Sequence, residues 1–317
     1  MAPSTTETAD YQAISEGCGL SDRSERGKLA LSGTGSKEFL QGQVTNDVEA
    51  LAPGSGCYAA FLTPKGKMLG DLRILDTGDE LLLDTERAAL QELFNMIRRF
   101  SVGFDVQVHK RTLERGLFSL IGPSADAVLG DAAPPGVEHS HRIAQIGGIP
   151  ARAIRTEIGT DLLCDAERSD ELRRRLEEAG AVPVTEAAVE CLRVELGRPR
   201  YGVDLDDTVI PQEAGLNERA VSFTKGCYVG QETVARLYYR GKPNRHLRGL
   251  RCVEAVAPGE QIGFDGRAVG SVRSAVESPA LGPIALGFLR REVMPGASVQ
   301  IGERGVSAMV VELPFER

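Results

Sequence analysis

Leu192-Arg193-Val194-Glu195-Leu196-Gly197-Arg198-Pro199-Arg200-Tyr201-Gly202 is the stretch on which the fold turns. It reads as the end of a helix over 185–196, with Val189, Leu192 and Leu196 inward, stopped by Gly197 and kept from restarting by Pro199. Upstream, 169–179 is a charged helix ending at Gly180. Strands are expected over 117–121, around Gly147-Gly148, and over 161–164, with a short helix over 124–129. An earlier unit has the same style. Ser36 is a plausible N-cap for a helix presenting Phe39, Leu40, Val44 and Val48 on one face. Strands over 57–62 and 68–75 flank the turn Thr63-Pro64-Lys65-Gly66, a third follows over 81–84, and 86–100 is helical. Helix, hairpin, strand, helix is an α+β order rather than a βαβ alternation. Beyond Gly241 short apolar runs alternate with Gly and Pro turns, which predicts a small β-barrel or sandwich of roughly 75 residues. The chain therefore divides into two α+β modules over 1–240 and a β-barrel over 241–317. Residues up to about Ser15 are expected to be loosely ordered.

A length of 317 residues suits about two domains. A 26% charged fraction excludes a mainly disordered chain, and no apolar run approaches the ~20 residues of a membrane span. The first 17 residues hold Glu7, Asp10 and Glu16 and no Arg or Lys, so they read as neither signal nor transit peptide. A cytoplasmic protein is expected. Six scattered cysteines include no C-x-x-C and no His at ligand spacing, so no metal centre is expected and free thiols are the default. Charge is uneven. Residues 225–251 carry seven bases and one acid, or +6, leaving −14 for the remainder of a chain whose net charge is −8. An anionic partner could meet that stretch; a solvated linker is the plain alternative. The acidic whole argues against a general nucleic-acid binder.

Lys225-Gly226-Cys227-Tyr228-Val229-Gly230-Gln231-Glu232 is the densest stretch. Its glycines permit close approach of a ligand. A helix beginning near Gln231, with Lys225 and downstream arginines nearby, would lower the pKa of the Cys227 thiol. A half-buried cysteine in an ordinary turn is the alternative. Glu195, on the last turn of its helix, opposes the helix dipole. It could accept two N–H bonds from an amino-pyrimidine edge, or form a surface salt bridge with Arg193 or Arg198. His139-Ser140-His141 lacks a third ligand and reads as an exposed loop. Gly33-Thr34-Gly35 has too few glycines for a dinucleotide loop.

Together these stretches resemble the aminomethyltransferase-related folate-binding family, and within it the YgfZ-type proteins. Phe39-Leu40-Gln41-Gly42-Gln43-Val44-Thr45-Asn46-Asp47-Val48 is similar to the family's early helix and T-N-D-V loop. Residues 192–202 resemble its L-R-x-E-x-G-x-P-x-Y-G segment, and Pro211-Gln212-Glu213 its P-x-E. Residues 269–274 and 278–282 resemble the barrel signature, and the Lys225–Glu232 octapeptide is similar to the motif that marks the YgfZ branch.

The resemblance implies a three-part cloverleaf enclosing a folate cavity, and tetrahydrofolate as cofactor. Glu195 is implied as the pterin-binding glutamate, with Tyr201, Lys225 and Arg236 as further cofactor-binding candidates. It also implies a role in assembly or repair of iron–sulfur enzymes, with such enzymes as partners and Cys227 as the functional cysteine. The basic stretch would then meet the glutamate tail of folate. One departure stands out. Family transferases carry an acidic pair in the strand that here reads Met68-Leu69-Gly70-Asp71-Leu72, so Gly70 leaves Asp71 alone. That argues against glycine-cleavage chemistry, yet Asp71 could still act as acid or base near folate N5 or N10. The alternative function is a folate-dependent methyl- or aminomethyl-transferase or demethylase using Asp71; a third is folate binding without chemistry.

Overall fold

The computed structural model describes residues 5–316. The chain opens with helix α1 (Thr5–Glu16), then strands β1 (Gly19–Asp22) and β2 (Gly27–Ser32) and helix α2 (Ser36–Gln41). Strands β3 (Gly56–Leu62), β4 (Met68–Asp76) and β5 (Leu81–Thr85) lead to helix α3 (Leu90–Phe100). Strands β6 (Gln107–Lys110) and β7 (Arg115–Ile121) precede helix α4 (Ala125–Leu129), and β8 (His141–Ile146), β9 (Ile149–Thr156) and β10 (Gly159–Asp165) follow. Helix α5 (Ser169–Glu178), the short β11 (Val182–Pro183), α6 (Glu186–Glu195), α7 (Asn217–Ala220) and α8 (Gln231–Arg240) complete the α+β part. The last strands are β12 (Arg245–Cys252), β13 (Gln261–Phe264), β14 (Arg267–Ser278), β15 (Gly282–Arg290), β16 (Ser298–Ile301) and β17 (Val306–Val311).

Three sheets result. The first is ordered β3-β4-β5-β2-β6 and the second β11-β1-β7-β10-β9-β8. The third is a closed barrel ordered β12-β15-β14-β13-β16-β17, with β17 pairing back onto β12. Closure removes the exposed edges that an open six-stranded sheet would leave. Alternation along its strands turns Leu250, Ile262, Val272, Ala285, Ile301 and Val310 inward.

The α+β expectation and the barrel are both observed. Two local expectations are corrected. The N-terminal segment is helical from Thr5, and Tyr11 and Ile14 are buried against α6. Apolar burial therefore outweighs the polar composition that made the segment read as loose. Ser36 lies inside α2, and Gly35 occupies its N-cap.

The two open sheets meet face to face. Ala30, Leu75 and Leu82 of the first touch Ile154 and Leu163 of the second. Another apolar cluster joins Leu62 and Met68, Val194 of α6, and Ile284, Phe288 and Phe315 of the barrel region. α6 is thus the post around which the three parts pack. Its outward turn is lined by charge, and there the chemistry lies.

Candidate functional site

A cavity of about 280 Å³ lies between the two open sheets and α6. Ile121, Val189, Leu196, Pro199 and the rings of Tyr58 and Tyr201 form its apolar walls. Asp71 projects into it from β4. Strand alternation sends Gly70 and Leu72 to the other side of the pleat from Asp71, and Asp71 is 6% exposed. The phenol of Tyr58, on the paired β3, donates to Asp71 Oδ2 at 2.7 Å. Burial raises the Asp71 pKa from 3.8 to about 6; the Tyr58 hydrogen bond acts against that rise. The Arg219 guanidinium lies 5.6 Å from the Tyr58 ring centroid.

Around this pair runs a chain of charges. Arg26 Nε meets Asp84 Oδ1 at 2.7 Å, and Arg73 bridges Asp84 at 2.6 Å and Asp161 at 2.7 Å. Asp84 belongs to the first sheet and Asp161 to the second, so Arg73 clamps the sheets together. Burial pushes the Asp84 carboxyl up, but Arg26 and Arg73 overcome it and hold the pKa at about 2. From α6, Glu190 is held by Arg193 Nε at 2.8 Å, and Arg193 also reaches Asp204 at 2.6 Å. Buried nitrogens on Arg23 (Nε), Arg73 (Nε), Arg198 (Nε) and His139 (Nδ1) have no hydrogen-bond partner among the described residues. A cavity with apolar walls, carboxylate acceptors and unsatisfied donors is built for a polar, ring-bearing ligand.

Sequence comparison places this arrangement. Residues 4–225 match the GCVT N-terminal domain, and 245–316 match the glycine cleavage T-protein C-terminal barrel domain. The chain belongs to the GCVT family. It is 30% identical to an aminomethyltransferase of Rubrobacter xylanophilus, over 98% of this chain and 86% of that protein. An aminomethyltransferase of Bacillus subtilis is 28% identical over 96% of this chain and 90% of its own length. The crystal structure of glycine cleavage system aminomethyltransferase T from Bartonella henselae superposes with a TM-score of 0.88 at 25% identity, covering 98% of this chain and 89% of that one. GCVT-family aminomethyltransferases bind tetrahydrofolate. The residues present fit that group. Glu186 and Glu190 can accept from an amino-pyrimidine edge, Tyr58 and Tyr201 can flank a ring, and the arginines can receive a carboxylate.

Of the site residues expected from sequence, this GCVT-family cavity brings together Asp71 and Tyr201 and leaves four elsewhere. Glu195 is not on its wall. It is buried on the far side of α6, where Tyr11 donates to it at 2.8 and 2.9 Å and Ser278 at 2.5 Å, joining α1, α6 and β14. The reason is helical phase. At 100° per residue, Glu195 lies well round the helix from Arg193, while Glu186, Val189, Glu190 and Arg193 share one face. That spacing was available in the sequence and marks Glu186 and Glu190 as the carboxylates of α6 on this wall.

Lys225 is also turned away from the cavity. Its Nζ is buried and donates to the carbonyls of Gln41, Val44 and Asn46 at 2.6, 2.8 and 2.8 Å. Burial lowers its pKa to about 8. The ammonium expected to polarise Cys227 instead pins the octapeptide to the Thr45-Asn46 loop. Lys225→Met should leave three carbonyls unpaired and cost about 2–3 kcal/mol, with faster hydrogen exchange at Val229, whose N–H bonds Gly42 O. Gly230 has φ 85° and caps α8, and a Cβ there would lie 2.6 Å from Thr63 O. The close approach it permits is to the chain's own hairpin rather than to a ligand. Cys227 is the one exposed cysteine among the described residues, three positions ahead of that cap and outside the cavity. Arg236 is exposed on α8, also outside it.

The histidine loop is not exposed either. His141 is buried, and His139 lines the cavity with φ 69°. Burial and the guanidiniums of Arg73 and Arg219 lower the His139 pKa to about 3, so its imidazole is neutral. Tyr58, with no motif of its own, could have been found only as the residue opposite Arg73, two positions along from Asp71's partner Ala60 and so on the same face of the hairpin. Gly70 explains itself sterically. A Cβ there would sit 2.6 Å from both the Phe61 ring and Ala89 Cβ, in the core rather than the cavity. Gly70→Asp should therefore destabilise the fold by about 3 kcal/mol or more, read as a lower urea midpoint, and should add no activity.

No helix among the described residues is long and apolar enough to cross a membrane.

Proposed function

We propose that the chain is a cytoplasmic, tetrahydrofolate-dependent one-carbon transferase acting on a methylamine or aminomethyl donor, with Asp71 as its acid–base residue. The observation that carries this reading is Asp71 itself: a buried carboxyl on the cavity wall, titrating near 6 and bonded to Tyr58. A group poised that close to neutral pH can release and recover a proton during turnover. Bound folate would supply N5 and N10 as the one-carbon acceptor. Tyr58 holds one Asp71 oxygen, Oδ2, at the cavity wall. The ion pairs of Arg73 and Arg193 fix the walls, and the apolar residues exclude water from the donor. Calorimetry should show tetrahydrofolate binding to wild type and to Asp71→Asn within a few-fold of each other, with donor turnover only in wild type. Absence of any heat with reduced folates would remove the cofactor from the reading.

A second reading rests on the octapeptide. Its exposed Cys227 supports a YgfZ-type accessory role for iron–sulfur enzymes, which need not use Asp71. The names of the relatives favour the transferase. Complementation of a cell lacking the protein separates the two: Cys227→Ser failing while Asp71→Asn succeeds would favour the accessory role, and the reverse the transferase.

A further inference from the structure

We infer that the outer face of α8 is a docking surface for an acidic polypeptide segment. Only Val234 of this helix is fully buried. Its last turn carries Tyr238 and Tyr239 at 51% and 65% exposure. The Phe223 ring stacks on Tyr238 at 3.7 Å and 15°, and Tyr239 meets Tyr238 edge-on at 5.0 Å. Three rings from a loop and a helix are therefore held in one arrangement at the surface, with the two tyrosines largely in solvent. Such preorganised aromatic area loses little entropy when a partner covers it.

Arg236, Arg240 and Lys242 are exposed beside the rings. Arg245 and Arg248, just downstream, pair with Glu213 and Glu312. Among the described residues no carboxylate pairs with these three cations, two on the helix and Lys242 just past its end. They do not line the central cavity, so the cofactor site does not account for them. Tyrosine and arginine together are the residues that concentrate binding energy at protein interfaces. Unpaired guanidiniums select carboxylates on the partner.

The partner is a short acidic segment rather than a nucleic acid. From Arg236 to Arg240 the helix advances only about 6 Å, too little to track a long polyanion. The net −14 of the chain outside residues 225–251 would repel whatever extended past the patch. A peptide alternating acidic and apolar residues can place carboxylates on the cations and side chains on the rings without leaving the patch.

The test is fluorescence anisotropy of the full chain with a labelled peptide alternating Glu and Leu, its Gln-for-Glu counterpart, and an oligothymidylate. The Glu peptide should bind, and its affinity should fall about tenfold between about 50 and about 300 mM salt. It should fall by about tenfold again in Arg240→Glu/Lys242→Glu and, separately, in Tyr239→Ser. The Gln peptide should not bind. The proposal is overturned if the Glu peptide does not bind, if it binds all variants equally, or if oligothymidylate binds more tightly and is lost in the same variants. Unchanged melting of the variants shows that any loss is local. A chain that self-associates through this face, and separates on charge reversal, would make a second copy the occupant and overturn the peptide assignment.

Discussion

Asp71→Asn should abolish turnover by about 10²–10⁴-fold and at the same time stabilise the protein at pH 7. The sign follows from the direction of the shift. In the folded state the carboxyl titrates at about 6, against 3.8 without burial. Between those values the native state keeps a proton that the unfolded chain has lost. Stability therefore falls as pH rises through about 4 to 6 and levels above it, at a loss on the order of 3 kcal/mol. Asparagine carries no charge to bury and can still accept from Tyr58. Urea denaturation at pH 7 should place the variant about 1–3 kcal/mol above wild type, with the gap closing towards pH 4. A variant less stable than wild type at pH 7 would mean that the carboxylate is structural and would remove Asp71 from the acid–base role.

Arg73→Ala should be the most damaging single change in the cavity. It removes the cation shared by buried Asp84 and half-buried Asp161 and leaves like charges facing each other across the sheet interface, with Arg26 the remaining partner of Asp84. The expected cost is about 3–5 kcal/mol, read as a shift in the denaturation midpoint at pH 7. The wild-type pairing has its own pH signature. Asp84 is held at about 2 against 3.8, so its contribution is complete above about pH 4 and disappears as pH falls towards 2. The Arg73→Ala variant should lose much of that acid-limb slope. Retention of the full slope would assign it to Arg26 alone.

Much of the architecture was legible because it rests on short-range chemistry. Gly197 and Pro199 ended α6, the Thr63-Pro64-Lys65-Gly66 turn set the β3–β4 hairpin, and Gly/Pro punctuation marked the barrel. The site was legible only where strand alternation fixes direction. Asp71 could be placed from its strand and Tyr201 from its motif. Glu195 and Lys225 lie off this cavity's wall, and the sequence did not show it because a motif gives the order of residues but not the angle round a helix or the direction of a long side chain. The ion-pair chain of Arg26, Asp84, Arg73 and Asp161 was invisible because its members are 135 residues apart at the extremes and carry no local pattern. α1 was missed because what makes it a helix is the buried face of α6, not its own sequence.

The chain begins in the second sheet and not in the first. β1 pairs with β7, Gly19 opposite Ile121, while β2, a few residues later, lies between β5 and β6 of the other sheet. During synthesis β1 leaves the ribosome well before its partner exists, and through that interval it is a free edge available to any other strand. The second module therefore cannot be cut out as one continuous piece. A fragment starting at β2 lacks nothing of the first sheet, whereas one starting at β7 lacks a strand of the second. A split version of this protein should therefore reassemble only when the N-terminal twenty-two residues are supplied with the later half.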